Sequence, residues 1–199
     1  VPPYWSVTVV EGPDGTPLTL AQAKAQCTVD TDVTADDTLI QGYLPVAAEL
    51  VESRSERALM LQTCVYEASG FPDDGDAIVV PRPPLQDVTS VQYRDTAGVL
   101  QTWDPSQYRV ITTGRFGRIV PAHGVCYPCT EDAPDAVVIE FVCGYADPAA
   151  IPSRYQHAQL MLIAHWYANR EAVTADTVHD VPLGFEALIG APARVDPLC

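Results

Sequence analysis

Ile151-Pro-Ser-Arg-Tyr-Gln-His-Ala-Gln-Leu-Met-Leu-Ile-Ala-His-Trp-Tyr-Ala-Asn-Arg170 is the most strongly helical stretch of this chain. Ser153 follows Pro152 and is the expected cap. Ala158, Leu160, Met161, Leu162, Ile163, Ala164, Trp166 and Tyr167 then make the helix apolar nearly all round. Such a helix needs cover on several sides. The sequence therefore predicts a central helix ending near Asn169–Arg170, with Leu162, Ile163, Trp166 and Tyr167 in the core or at a subunit interface.

Its helical partners lie near the other end of the chain. Thr19, with Gln22 three residues on, has the spacing of a capping box, and Leu18 is the staple residue before it. That helix is expected to run to about Val29. Thr34 is the expected cap of a second helix, with Asp36 and Asp37 at its positive end. Ile40, Tyr43, Leu44, Ala47, Leu50 and Val51 recur at three- and four-residue spacing and give one buried stripe. Pro45 lies inside it and is expected to kink or split the helix. The end, Glu52 to Arg57, has mixed charge and reads as exposed.

Between these helices the period changes to two. Candidate strands are Gln62–Ala68, Ala77–Val80, Val88–Arg94, Val99–Thr102, Tyr108–Ile111, Arg118–Val120 and Val137–Cys143. Gly, Pro and Asp clusters punctuate them as in an antiparallel meander. Asp95-Thr-Ala-Gly98 reads as a hairpin turn. Pro81, Pro83 and Pro84 mark an edge or a crossing loop.

The fold class is therefore α+β: a small α-helical bundle with a β-strand-rich insertion between the second and third main helices, then an extended C-terminal tail. The expected parts are an arm over 1–17, with Val7, Val9 and Val10 as its apolar side, and a helical part over 18–60. A β-rich insertion over 61–145, the core helix over 146–170 and a tail over 171–199 follow. The tail carries a short amphipathic piece, Gly184–Ile189.

Composition limits the function classes. The chain has 199 residues, 11 Lys+Arg against 26 Asp+Glu, and a formal net charge of −15. That is the wrong sign for gripping nucleic acid phosphates, and the few positive residues read as scattered. No apolar run approaches the ~20 residues of a membrane span, and VPPYWSVTVV lacks the basic region of a signal peptide. Hydrophobic residues make up 47%, enough for a packed core. The six cysteines, at 27, 64, 126, 129, 143 and 199, are expected as reduced thiols, several packed as small apolar residues.

Candidate chemistry is sparse. His123-x-x-Cys126-x-x-Cys129 offers soft metal ligands, with Cys143 farther on, but the second half of a zinc signature is missing. A redox pair at Cys126 and Cys129 lacks the surrounding βαβ unit. A plain loop is the expectation, and a small acidic metal-binding protein or enzyme built on His123, Cys126 and Cys129 is the alternative reading. Asp73, Asp74 and Asp76 resemble part of a calcium loop but lack its closing glutamate; a solvated turn is expected. His157 and His165 are two turns apart on their helix, so they are not a two-histidine metal motif. No nucleophile elbow, Walker loop or dinucleotide fingerprint occurs. No catalytic residue and no cofactor is expected.

The order of segments resembles the head–tail connector, or adaptor, family of tailed phages, also carried by phage-derived gene transfer agents. The residues are Leu18-Thr-Leu-Ala-Gln-Ala-Lys24, Thr34-Ala-Asp-Asp-Thr-Leu-Ile40 and Ser55-Glu-Arg-Ala-Leu59. Pro81-Arg-Pro-Pro-Leu-Gln-Asp-Val-Thr-Ser-Val91 and Tyr93, Asp104-Pro-Ser-Gln-Tyr-Arg-Val110, Phe141-Val-Cys-Gly-Tyr145 and His165-Trp-Tyr-Ala-Asn-Arg-Glu171 complete them. The resemblance covers about residues 18–190. It implies a non-enzymatic neck protein of a virion or phage-like particle, assembled in the bacterial cytoplasm without membrane contact. Its copies would form a ring, typically a dodecamer, under the portal protein. The ring would join the portal to the next neck, stopper or tail protein and continue the DNA channel, with DNA passing through without specific binding. By position, Leu183, Phe185, Leu188 and Ile189 would be the apolar anchors of a portal-docking segment. Cys126, Cys129 and Cys199 depart from the family pattern.

Overall fold

The computed structural model describes residues 4–73, 76–170 and 184–190. It is an α+β fold with antiparallel sheets, in two compact units. Among the described residues, one unit comprises 4–13 and 61–145, and the other 14–60, 146–170 and 184–190.

The first unit is all β. Its strands are β1 (Trp5–Glu11), β2 (Gln62–Ala68), β3 (Ile78–Val80), β4 (Leu85–Arg94), β5 (Leu100–Thr102), β6 (Tyr108–Ile111), β7 (Gly117–Pro121) and β8 (Val137–Cys143). A five-stranded sheet has the order β1-β2-β8-β4-β5, and a three-stranded sheet the order β3-β7-β6. This is not the expected meander, because β8 lies between β2 and β4. The reason is burial: β2 and β8 both bury every second residue, including Cys64, Tyr66, Ile139, Phe141 and Cys143. The two best apolar strands therefore take the middle of the sheet, and weaker strands the edges.

The edges behave accordingly. Val9 and Val10 of β1 are exposed, contrary to their expected role as an apolar side, and the pairing with β2 shifts between Val9 and Glu11. Such a bulge is a common feature of an edge strand. The hairpin turn at Asp95–Gly98 forms as expected. The Asp95 carboxylate accepts the Ala97 and Val99 N–H groups at 2.9 and 3.0 Å, and Gly98 takes the positive φ of 77°. Gly117 has a different constraint: an added Cβ would lie 2.2 Å from the Leu85 side chain, so only glycine lets β7 approach there.

The second unit is helical: α1 (Leu20–Gln26), α2 (Asp37–Ser55), α3 (Ser153–Ala168) and α4 (Phe185–Ile189). The expected capping box forms, with the Gln22 N–H donating to Thr19 Oγ1 and the Thr19 N–H to Gln22 Oε1. The helix ends at Gln26 rather than near Val29. Thr28 adopts a left-handed φ of 56°, and the Val29 N–H returns to the Lys24 carbonyl at 2.9 Å. The second helix starts at Asp37, not after a Thr34 cap, because Asp36 and Asp37 bind tertiary partners instead. Pro45 does not split it. Ile40, Leu44, Ala47 and Val51 are buried, with Tyr43 and Leu50 half-buried, so the stripe is as read. Ser153 begins the third helix but does not cap it.

Candidate assembly surfaces

The His123–Cys129 stretch leaves β7 and is held by an aromatic cluster. Tyr127 stacks on Phe71 at 5.0 Å and lies 5.6 Å from Trp103, and its hydroxyl donates to the Asp76 carbonyl at 2.8 Å. At the other end Arg94 pairs with Asp135 at 3.1 Å and Glu131 at 3.6 Å. Tyr127 packs against these rings, whereas Cys126 and Cys129 on either side of it are exposed, as is His123. Among the described residues no group of three or more His, Cys, Asp or Glu side chains is placed to hold a metal ion. Through Tyr127 the stretch is anchored by aromatic packing.

Cys64 and Cys143 are packed as expected of small apolar residues. Both are buried, with their sulfurs 3.7 Å apart across β2 and β8. Cys27 is half-buried, and burial pushes its thiol pKa up. Cys199 and Asp74 lie outside the described residues. The Asp76 N–H donates to the Asp73 carbonyl. On the third helix His157 is exposed and His165 half-buried.

The helical unit is fixed by two ionic clasps that periodicity does not reveal. Lys24 is 3% exposed, and its ammonium donates to the Thr31 and Val33 carbonyls at 3.1 and 2.6 Å and pairs with Asp37 at 2.7 Å. A buried ammonium needs such partners, and here they fold residues 27–36 back over α1. The second clasp centres on Asp36. The Tyr167 hydroxyl donates to its Oδ2 at 2.7 Å and Arg170 at 3.0 Å, while the Arg170 guanidinium stacks over the Tyr167 ring at 4.5 Å. The Tyr167 hydrogen bond, then Arg170, holds the Asp36 carboxyl below the usual carboxylate range. The same bond raises the Tyr167 hydroxyl pKa.

Leu162 and Ile163 are fully buried in this unit's core. Trp166 and Tyr167 are half-buried, with Trp166 against Tyr43 of α2 at 5.8 Å. Phe185 and Ile189 of α4 are 0% and 2% exposed, Leu188 is half-buried, and Glu186 and Ala187 are exposed. Leu183 lies outside the described residues. Phe185 and Ile189 are thus taken up by the core of their own unit.

The positive charges are less scattered than the sequence suggests. Arg109 of β6 and Arg118 of β7 are both exposed on the three-stranded sheet. The linear sequence did contain the signal, a stretch with three arginines and no acidic residue between 108 and 121.

This order of helices and strands is matched by known proteins. The family model of the phage gp6-like head-tail connector protein matches residues 17–91 and 128–193, well over half of the chain. The chain belongs to that connector family. The connector is also similar to chains in solved structures. One, from the neck of an empty GTA particle computed with C6 symmetry, has 26% identity and a TM-score of 0.74, covering 96% of this chain and 97% of that one. Another, from the virion of a native gene transfer agent (GTA) particle, has 26% identity and a TM-score of 0.73, covering 95% and 96%. A third, from the neck of a native GTA particle computed with C12 symmetry, has 25% identity and a TM-score of 0.71, covering 96% and 97%. No curated protein matches the sequence. Membership assigns the connector a structural role in joining head to tail. No described helix is long and apolar enough to cross a membrane.

Proposed function

We propose that the connector is a ring-forming component of the neck of a phage or gene transfer agent particle, assembled in the bacterial cytoplasm. The observation that carries this is the match to GTA particle chains over nearly the whole length of both partners, two of them from necks computed with cyclic symmetry. Twelve copies would sit under the portal protein, join it to the next neck or tail protein and continue the DNA channel. The net charge of −15 suits a conduit, because like charge denies DNA the phosphate contacts that would hold it. Portal docking falls to the segment 171–199. Within it, Phe185 and Ile189 hold α4 in the helical unit, and the half-buried Leu188 is the large apolar residue of α4 that keeps exposed surface beside Ala187.

A tagged connector recovered from producing cells, with its bound proteins identified by mass spectrometry, tests the reading. Portal and tail proteins should co-purify, and electron microscopy of the complex should show a cyclic ring. Recovery of a monomer with neither partner would sink it.

A further inference from the structure

Residues 108–121, YRVITTGRFGRIVP, form the β6–β7 hairpin and carry three arginines and no carboxylate, in a chain with 26 acidic residues. Burial alternates across the three-stranded sheet. Tyr108, Ile119, Ile78 and Val80 are buried on one face. On the other, Arg109 and Arg118 are exposed, and Val79, Ile111 and Val120 are half-buried. The register sets them side by side: Arg118 lies opposite Ile111 and Val79, and Arg109 opposite Val120. The two arginines are therefore diagonal neighbours, roughly 7–8 Å apart at the backbone, set among three aliphatic side chains. Among the described residues neither guanidinium has an ion-pair or hydrogen-bond partner. At the turn, Arg115 lies over the Phe116 ring at 5.5 Å. The hairpin also falls in residues 92–127, between the two stretches that the family model matches.

We propose that this Arg109/Arg118 face docks onto an acidic surface of a second copy of the connector. The inference rests on the ring reading above. Copies that each carry −15 repel one another. A head-to-tail ring contact joins two different patches of one sequence, so a basic face against the acidic remainder offsets that repulsion at each contact. The composition of the face fits a protein partner. Arginine among aliphatic side chains is the make-up of a protein interface, whereas a phosphate-binding face draws on cations and polar groups and has no use for Val79, Ile111 and Val120.

The test uses the full chain in producing cells, with a photo-crosslinking p-benzoylphenylalanine in place of the exposed Thr112 at the end of β6. Irradiated necks should yield a product of two connector chains. A product with another neck protein or with DNA, or no product from necks that contain the connector, would overturn the proposal. Absence of the wild-type connector from necks would instead defeat the ring reading. Arg109→Glu/Arg118→Glu should lower incorporation into necks about tenfold, with Arg109→Gln/Arg118→Gln between it and wild type. Both purified variants should melt as wild type does. Normal incorporation of a well-folded Glu pair would also overturn it.

Discussion

Lys24 and Asp36 do more for the helical unit than their place in an Ala-rich helix and an acidic loop suggests. Lys24 has nowhere to send its charge except two backbone carbonyls and Asp37. Lys24→Met keeps the stem and removes the ammonium, leaving those acceptors without their donor. The change should cost about 2–3 kcal/mol, since an unsatisfied buried group costs about 1–3 and a broken buried pair about 3–5. The urea midpoint should fall with the slope unchanged; an unaltered midpoint would show that the clasp does not stabilise the unit. Asp36 gives a pH signature. Its folded pKa is depressed, first by the Tyr167 hydrogen bond and then by Arg170. Its contribution is therefore present above the unfolded pKa of about 3.9 and lost as pH falls through the folded value. The melting-temperature gap between wild type and Asp36→Asn should be steady near neutrality and close as pH drops below about 4. A gap that stays constant as pH falls well below about 4 would refute the assignment.

At the scale of elements, α4 is the most informative. Five residues cannot hold a helix in water unaided, so the burial of Phe185 and Ile189 keeps it in place. Phe185→Ala should destabilise the helical unit by about 3–5 kcal/mol, and Phe185→Asp by more, since it buries a charge. Thermal melting of the purified chain measures this. If Phe185→Asp melts as wild type does, α4 is not part of the core and its apolar side is free for a partner. Sequence periodicity identified Gly184–Ile189 as amphipathic but could not say what its apolar side meets. An amphipathic stripe has the same appearance whether it faces its own chain or another.

For the whole molecule, charge makes the clearest statement. The free connector should leave a duplex DNA fragment unshifted on a native gel at physiological salt, because a net −15 outweighs the Arg109/Arg118 face at long range. A stable complex that dissolves as salt rises would contradict the conduit reading.

The α+β class, the element order and most element positions were legible in the residues alone. The capping box at Thr19–Gln22, the stripe from Ile40 to Val51 and the turn at Asp95–Gly98 are local, and each sets neighbouring residues within a turn or a pleat. The resemblance carried by short segments such as Pro81–Leu85 and His165–Glu171 pointed to the connector family. Features that depend on distant partners emerge only in the folded chain. The Asp36–Tyr167 bond spans 131 residues, and β8 enters the sheet between β2 and β4 through pairings that no local period encodes. Thr34 lost its expected capping role because the carboxylates next to it found Lys24, Tyr167 and Arg170. Asp36 and Asp37 could equally have capped a helix or closed a clasp, and the choice fell to whichever cation or hydroxyl the fold brought within hydrogen-bonding distance.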